Sequence, residues 1–363
     1  FMPWLIGTAL IHSLAVAEKR GLFKSWTLML AIAAFALSLL GTFLVRSGII
    51  VSVHAFASDP GRGLFILTFL GIVVTAALIL YAWRAPSLDT EAGFAINSRE
   101  TFLLLNNVLL VIATIVVFFG TLAPLIYEVL DLGKISIGPP WFDKVFLLPM
   151  LPLVFLIGIG MHTTWRQHKG NLLLGRLKIP ALLSIVLGIL IPWLFYGRFG
   201  LMVSVGTIAA IWVIAASLID PIRSWRRPEG AAPITRAMLG QSVAHLGVGL
   251  FILGVTVVSA FNIETDQSMR AGESIEVAGH SFQLRELRQV EGPNYTAIEG
   301  VVEIRKGGDF VAEVRPQKRQ YLVQRNWMTE AGINVHWNKD LFIALGDQLG
   351  NDTWSVRIQY KPM

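Results

Sequence analysis

Eight stretches of the chain contain no Asp, Glu, Lys or Arg: residues 1–16, 26–45, 64–83, 102–126, 145–165, 179–196, 199–219 and 237–263. A bilayer core of about 30 Å takes roughly 20 apolar residues as helix, and most of these stretches reach that length. The pattern predicts a polytopic α-helical membrane protein, with about eight transmembrane helices over residues 1–263. Pro124, Pro149, Pro152 and Pro192 fall within spans, where lipid-crossing helices tolerate them. Trp4, Trp26, Trp83, Trp141, Trp165 and Trp193 fall near span ends, as interfacial anchors do.

From residue 264 the period changes to two. Trp354, Val356, Ile358 and Tyr360 alternate with Ser355, Arg357 and Gln359, the pattern of a half-buried strand. Phe310, Ala312 and Val314 alternate in the same way after Gly307-Gly308-Asp309, which predicts a hairpin with 301–306. Segments 273–278, 281–289 and 341–345 also read as strands. Residues 264–363 are therefore expected to form a small extramembrane β domain, a compact sandwich or barrel.

Charge adds a direction. Of the 30 Lys+Arg and 24 Asp+Glu, residues 1–263 hold 18 and 10, and residues 264–363 hold 12 and 14. The basic excess is thus loop charge beside a membrane, and a nucleic-acid partner is not expected. Loops at 17–25, 84–101, 166–178 and 220–236 carry 13 Lys+Arg, against 5 in 46–63, 127–144 and 197–198. The positive-inside rule places the first set in the cytoplasm. The β domain then faces the periplasm if the membrane is a bacterial inner membrane. With Phe1 opening inside an apolar run, the chain reads as one piece of a longer protein. Its 54% hydrophobic and 15% charged residues leave no room for a soluble enzyme. Cysteine is absent, so disulfides, thiolate ligands, cysteine nucleophiles and a C-x-x-C-H haem attachment site are excluded.

Ionisable residues inside a bilayer are functional suspects, and here they are histidines. His12 lies about four residues, and His245 about eight, from the same side, depths of roughly 6 and 12 Å. On antiparallel helices the two imidazoles can meet. Small neighbours such as Thr8, Ala9 and Gly249 leave room for a flat ligand, and neutral imidazole is a good axial ligand for haem iron. An interhelical hydrogen bond or a proton relay fits the same spacing, as does a transporter or proton-coupled permease using both histidines, although no paired halves with broken helices appear. A structural scaffold is a third class. His54 lies in an apolar, β-branched outer segment before Ser58-Asp59-Pro60-Gly61. Arg46, at the outer end of the second span, is placed either to pair a haem propionate or to snorkel. His162, His168, His280 and His336 receive no role.

The segments FMPWLIGTALIHSLAV, EKRGLFKSW and GTFLVRSGIIVSVHAFASDP, with QSVAHLGVG, KDLFIALGD and WSVRIQYKP further on, resemble the CcmF family of cytochrome c maturation proteins. The resemblance implies a membrane haem lyase that receives haem from a CcmE-type chaperone. It would join that haem to the thiols of an apocytochrome c presented by a CcmH-type partner. It further implies that His12 and His245 hold a transmembrane b-type haem and that His54 is one of two outward histidines ligating the transient haem substrate at the periplasmic face. The family's tryptophan-rich WWD segment, its other outward histidine and its last span are absent from this chain.

Overall fold

The computed structural model describes residues 1–47, 60–88, 93–167, 170–197, 200–225, 234–323, 325, 327–350 and 352–362. Eight helices come first: α1 (Met2–Arg20), α2 (Lys24–Ser47), α3 (Pro60–Arg84), α4 (Arg99–Val129), α5 (Pro139–Gly160), α6 (Gly170–Tyr196), α7 (Leu201–Trp225) and α8 (Arg236–Phe261). Each predicted span has its helix. Among the described residues, α2 to α8 are long and apolar enough to cross a membrane; α1 is shorter and ends in Glu18, Lys19 and Arg20. Their outward faces are apolar, with Ile79, Leu174 and Phe195 between 64% and 76% exposed. Lipid tails satisfy such surfaces, so a helix here need not bury its apolar side in protein.

Two compact units emerge from the packing, one of residues 1–185 and 211–247, the other of 186–210 and 248–363. In the first, Leu5, Ile6, Ala9, Leu30, Leu110, Ala113 and Leu153 form a core where α1, α2, α4 and α5 meet. Small residues let helices approach: a Cβ on Gly158 of α5 would collide with the Trp212 indole of α7, whose Nε1 donates to the Phe155 carbonyl at 3.0 Å. In the second unit Thr207 of α7 donates to the Gly188 carbonyl of α6 at 2.6 Å. These are the close contacts on which membrane helices associate.

The strands form a sandwich. One sheet has the order β1-β10-β9-β8, with β1 (Ile263–Arg270), β8 (Gly332–His336), β9 (Lys339–Gln348) and β10 (Thr353–Pro362). The other has the order β2-β3-β4-β6-β7, with β2 (Ser274–Val277), β3 (His280–Glu291), β4 (Tyr295–Lys306), β6 (Gln317–Tyr321) and β7 (Trp327–Glu330). β5 (Asp309–Val314) also pairs with β4. All the pairings are antiparallel. The inner faces meet in a core that includes Phe282, Leu284, Ile304, Leu341, Ile343, Val356 and Ile358.

The expected 301–306 hairpin is present, but the alternation read through Phe310 breaks. Val302 faces Val314 and Ile304 faces Ala312, then a bulge pairs Arg305 with Phe310. One extra residue turns the following side chain to the other face, which leaves Phe310 62% exposed.

Candidate haem-ligand pair and its surroundings

His12 lies in α1 and His245 in α8, both in the first unit, and their ring centroids are 6.4 Å apart with planes inclined by 55°. Each Nδ1 lies 2.8 Å from the backbone carbonyl one turn earlier, Thr8 for His12 and Gln241 for His245. A carbonyl only accepts, so both Nδ1 atoms carry a proton, and in the neutral imidazole each Nε2 then keeps a lone pair. Neither Nε2 has a hydrogen-bond partner among the described residues. Binding of the other nitrogen to a backbone carbonyl is the usual way a ligating histidine is held in tautomer and orientation.

The spacing suits a shared metal. A ligand nitrogen sits about 2 Å from its metal, which puts two rings facing each other across one ion at a centroid separation of roughly 6.3 Å. The two helices also match locally. Gly7-Thr8 precedes His12 as Gly240-Gln241 precedes His245, and a Cβ on Gly7, Gly240 or Gly247 would meet nothing within 4 Å. Two imidazoles 6.4 Å apart, with open space at Gly7, Gly240 and Gly247, fit a flat, iron-centred ligand.

Arg46 is not part of this pair. The Ser13 hydroxyl meets that of Thr27 at 2.7 Å, which fixes the register of α1 against α2. Arg46 lies 19 residues beyond Thr27 on α2, about 28 Å along the helix. It is half-buried. His54, expected at the outer segment, lies outside the described residues.

At the basic end of the first unit the structure holds a polar hub that the charge pattern assigned to loops. Glu100, in the first turn of α4, is completely buried. It accepts from Arg20 Nε of α1 at 2.7 Å, and from the Arg166 backbone N–H at 3.0 and 3.1 Å. Arg99 donates to the Met161 carbonyl at 3.0 Å and lies over the Trp165 ring. His162, also buried, donates from Nε2 to the Ala216 carbonyl at 3.0 Å and has Asp220 of α7 3.7 Å from Nδ1. One buried carboxylate thus ties α1 and α4 to the segment after α5. Its position before an apolar run, with Ser98 as N-cap, was the available hint.

The fold is that of a polytopic membrane protein with a C-terminal β-sandwich, and two histidines of its helical part stand 6.4 Å apart. Residues 260–362 match the family model described as the CcmF C-terminal beta-sandwich, and residues 1–51 that of the cytochrome C assembly protein. The whole chain is 45% identical to the cytochrome c-type biogenesis protein CcmF of Pseudomonas aeruginosa and 41% identical to that of Escherichia coli K12, covering 55% and 56% of them. It also shares its fold, at a TM-score of 0.78 and 24% identity, with a solved structure titled cytochrome c heme lyase CcmF, covering all of this chain and 55% of that one. The chain belongs to the CcmF family of cytochrome c-type biogenesis proteins, and it spans about half the length of the curated relatives it matches.

Proposed function

We propose that the chain is the haem-holding part of a cytochrome c haem lyase, with residues 1–263 as its membrane core and 264–363 as its periplasmic β domain. The observation that supports this best is the 6.4 Å separation of His12 and His245 with both Nδ1 atoms tied to backbone carbonyls. These two residues hold a b-type haem. Bound there, that group supplies a one-electron couple inside the bilayer. The chain's own residues orient the ligand nitrogens, exclude water and leave the helix surface clear.

The haem to be attached is a separate substrate. It arrives from a CcmE-type chaperone on the periplasmic side of the inner membrane, where His54 ligates it and Arg46 pairs a propionate. An apocytochrome c held by a CcmH-type partner presents two thiols. Each S–H adds across a vinyl group, sulfur to one carbon and hydrogen to the other, so no protein nucleophile is required. The absence of cysteine from this chain removes a competing acceptor.

The test is the visible spectrum of detergent-purified full-length protein after haem-replete expression, oxidised and dithionite-reduced, beside His12→Ala and His245→Ala. Sharp reduced α and β bands, lost in each variant, are the expected result. A colourless parent, or bands that persist in both variants, overturns the assignment and moves weight to proton or solute transport.

A further inference from the structure

One end of the sandwich is built next to the membrane by the chain itself. Asn262 alone separates Phe261, last of α8, from Ile263, first of β1. Ile263 pairs with Tyr360, and Tyr360 with Leu341. From that level β8 and β9 continue in the direction from which β1 arrives, through Val335 opposite Asp340 and His336 opposite Lys339, to the two-residue turn Trp337-Asn338. At 3.4 Å per residue this turn lies about 10 Å past the first residue of β1.

The second sheet brings its own tip to the same end. Lys339 Nζ lies 2.8 Å from His280 Nε2, at the start of β3. Ser281 pairs with Arg305, and Lys306 with Asp309 across the Gly307-Gly308 turn, where both glycines have positive φ. The composition of this end is unlike a solvated rim. Trp337 is 91% exposed, Val335 69% and Phe310 62%. Lys306, Lys339 and Lys361 form no ion pair among the described residues; Lys361 lies 4.8 Å above the Phe342 ring. The acids here are Asp309, Asp340 and Glu276, which faces Ser281, and Arg305 is already paired with Glu303. Burial first, and then Lys339, Lys306 and His336, hold His280 below its ordinary value, against the Ala278 carbonyl, which raises it.

Exposed aromatics ringed by lysines are the composition of a membrane–water interface. We infer that this end of the sandwich seats on the phospholipid surface that α8 meets, with Trp337 and Phe310 entering the interface and Lys306, Lys339 and Lys361 facing headgroup phosphates. The far end serves as control. Val323 is also 91% exposed, but it follows Tyr321, which pairs with Tyr295 at the opposite end of β4. Eleven residue steps of β4 separate the ends, roughly 37 Å.

The chain has no cysteine, so Trp337→Cys, Phe310→Cys and Val323→Cys each create a unique thiol for a nitroxide. The variants are reconstituted in vesicles of phosphatidylcholine with phosphatidylglycerol. Collisions with lipid-soluble oxygen are compared with collisions with a water-soluble nickel chelate. Positions 337 and 310 are expected to favour oxygen severalfold and position 323 the chelate. A label at 337 as open to the chelate as that at 323 overturns the proposal. A label at 337 shielded from both reagents also overturns it, because the covering surface is then protein. Exposed sites tolerate substitution, and unchanged thermal unfolding of each variant confirms the fold.

Discussion

Glu100 shows how a residue that looks like loop charge becomes a structural anchor. Its carboxylate is fully buried and satisfied by the Arg20 guanidinium and a backbone N–H. Removing one member of a buried ion pair strands the other and typically costs about 3–5 kcal/mol. Glu100→Gln is therefore expected to lower the unfolding temperature of the detergent-solubilised protein clearly. Arg20→Met in the same background should add little beyond it, and strictly additive losses would show that the two side chains act separately. The sequence does not disclose this pair. Arg20 is 80 residues away, and Arg166 contributes a main-chain donor that any non-proline residue offers. His12 and His245 were legible because a histidine in a charge-free span is rare and expensive; that they meet depended on helix packing, which spacing left open.

At the level of elements, charge-free windows located all eight helices because lipid imposes one rule on every residue of a span. Their ends were less visible. α4 begins at Arg99 and α5 at Pro139, ahead of windows starting at 102 and 145, since Asp143 and Lys144 sit within the first turns of α5. Among strands, β10 announces itself by alternation, whereas β6 carries no buried residue and β7 and β8 are short edge strands. An edge strand buries too little on either face to leave a period. The α5–α7 contact gives a prediction at this scale. Gly158→Ala pushes a methyl group into the Trp212 indole and breaks its bond to the Phe155 carbonyl. Overpacking of this kind costs typically 1–3 kcal/mol, read as an earlier thermal transition, while Gly41→Ala, whose Cβ meets nothing within 4 Å, should be neutral.

For the molecule as a whole, the uneven loop charge predicts which way it sits. In intact cells a membrane-impermeant maleimide should label Val323→Cys and leave Lys19→Cys unlabelled until the membrane is opened. Labelling in the opposite order would reverse the proposed sidedness and place the β domain in the cytoplasm. The sequence made the division into helices and a β domain legible, because a span and a half-buried strand have different periods. It left the packing of the two sheets, and the close of each helix against its neighbours, to the fold.

The carbonyl bonds of His12 and His245 carry a consequence for assembly. Each ring is clamped by its own helix, one turn back, so neither orientation depends on what lies between them. A planar guest entering there pays no rotamer or tautomer entropy at its ligands. On the proposed haem-binding reading, the ligand nitrogens are therefore set before the haem arrives, and its loss would leave them in place.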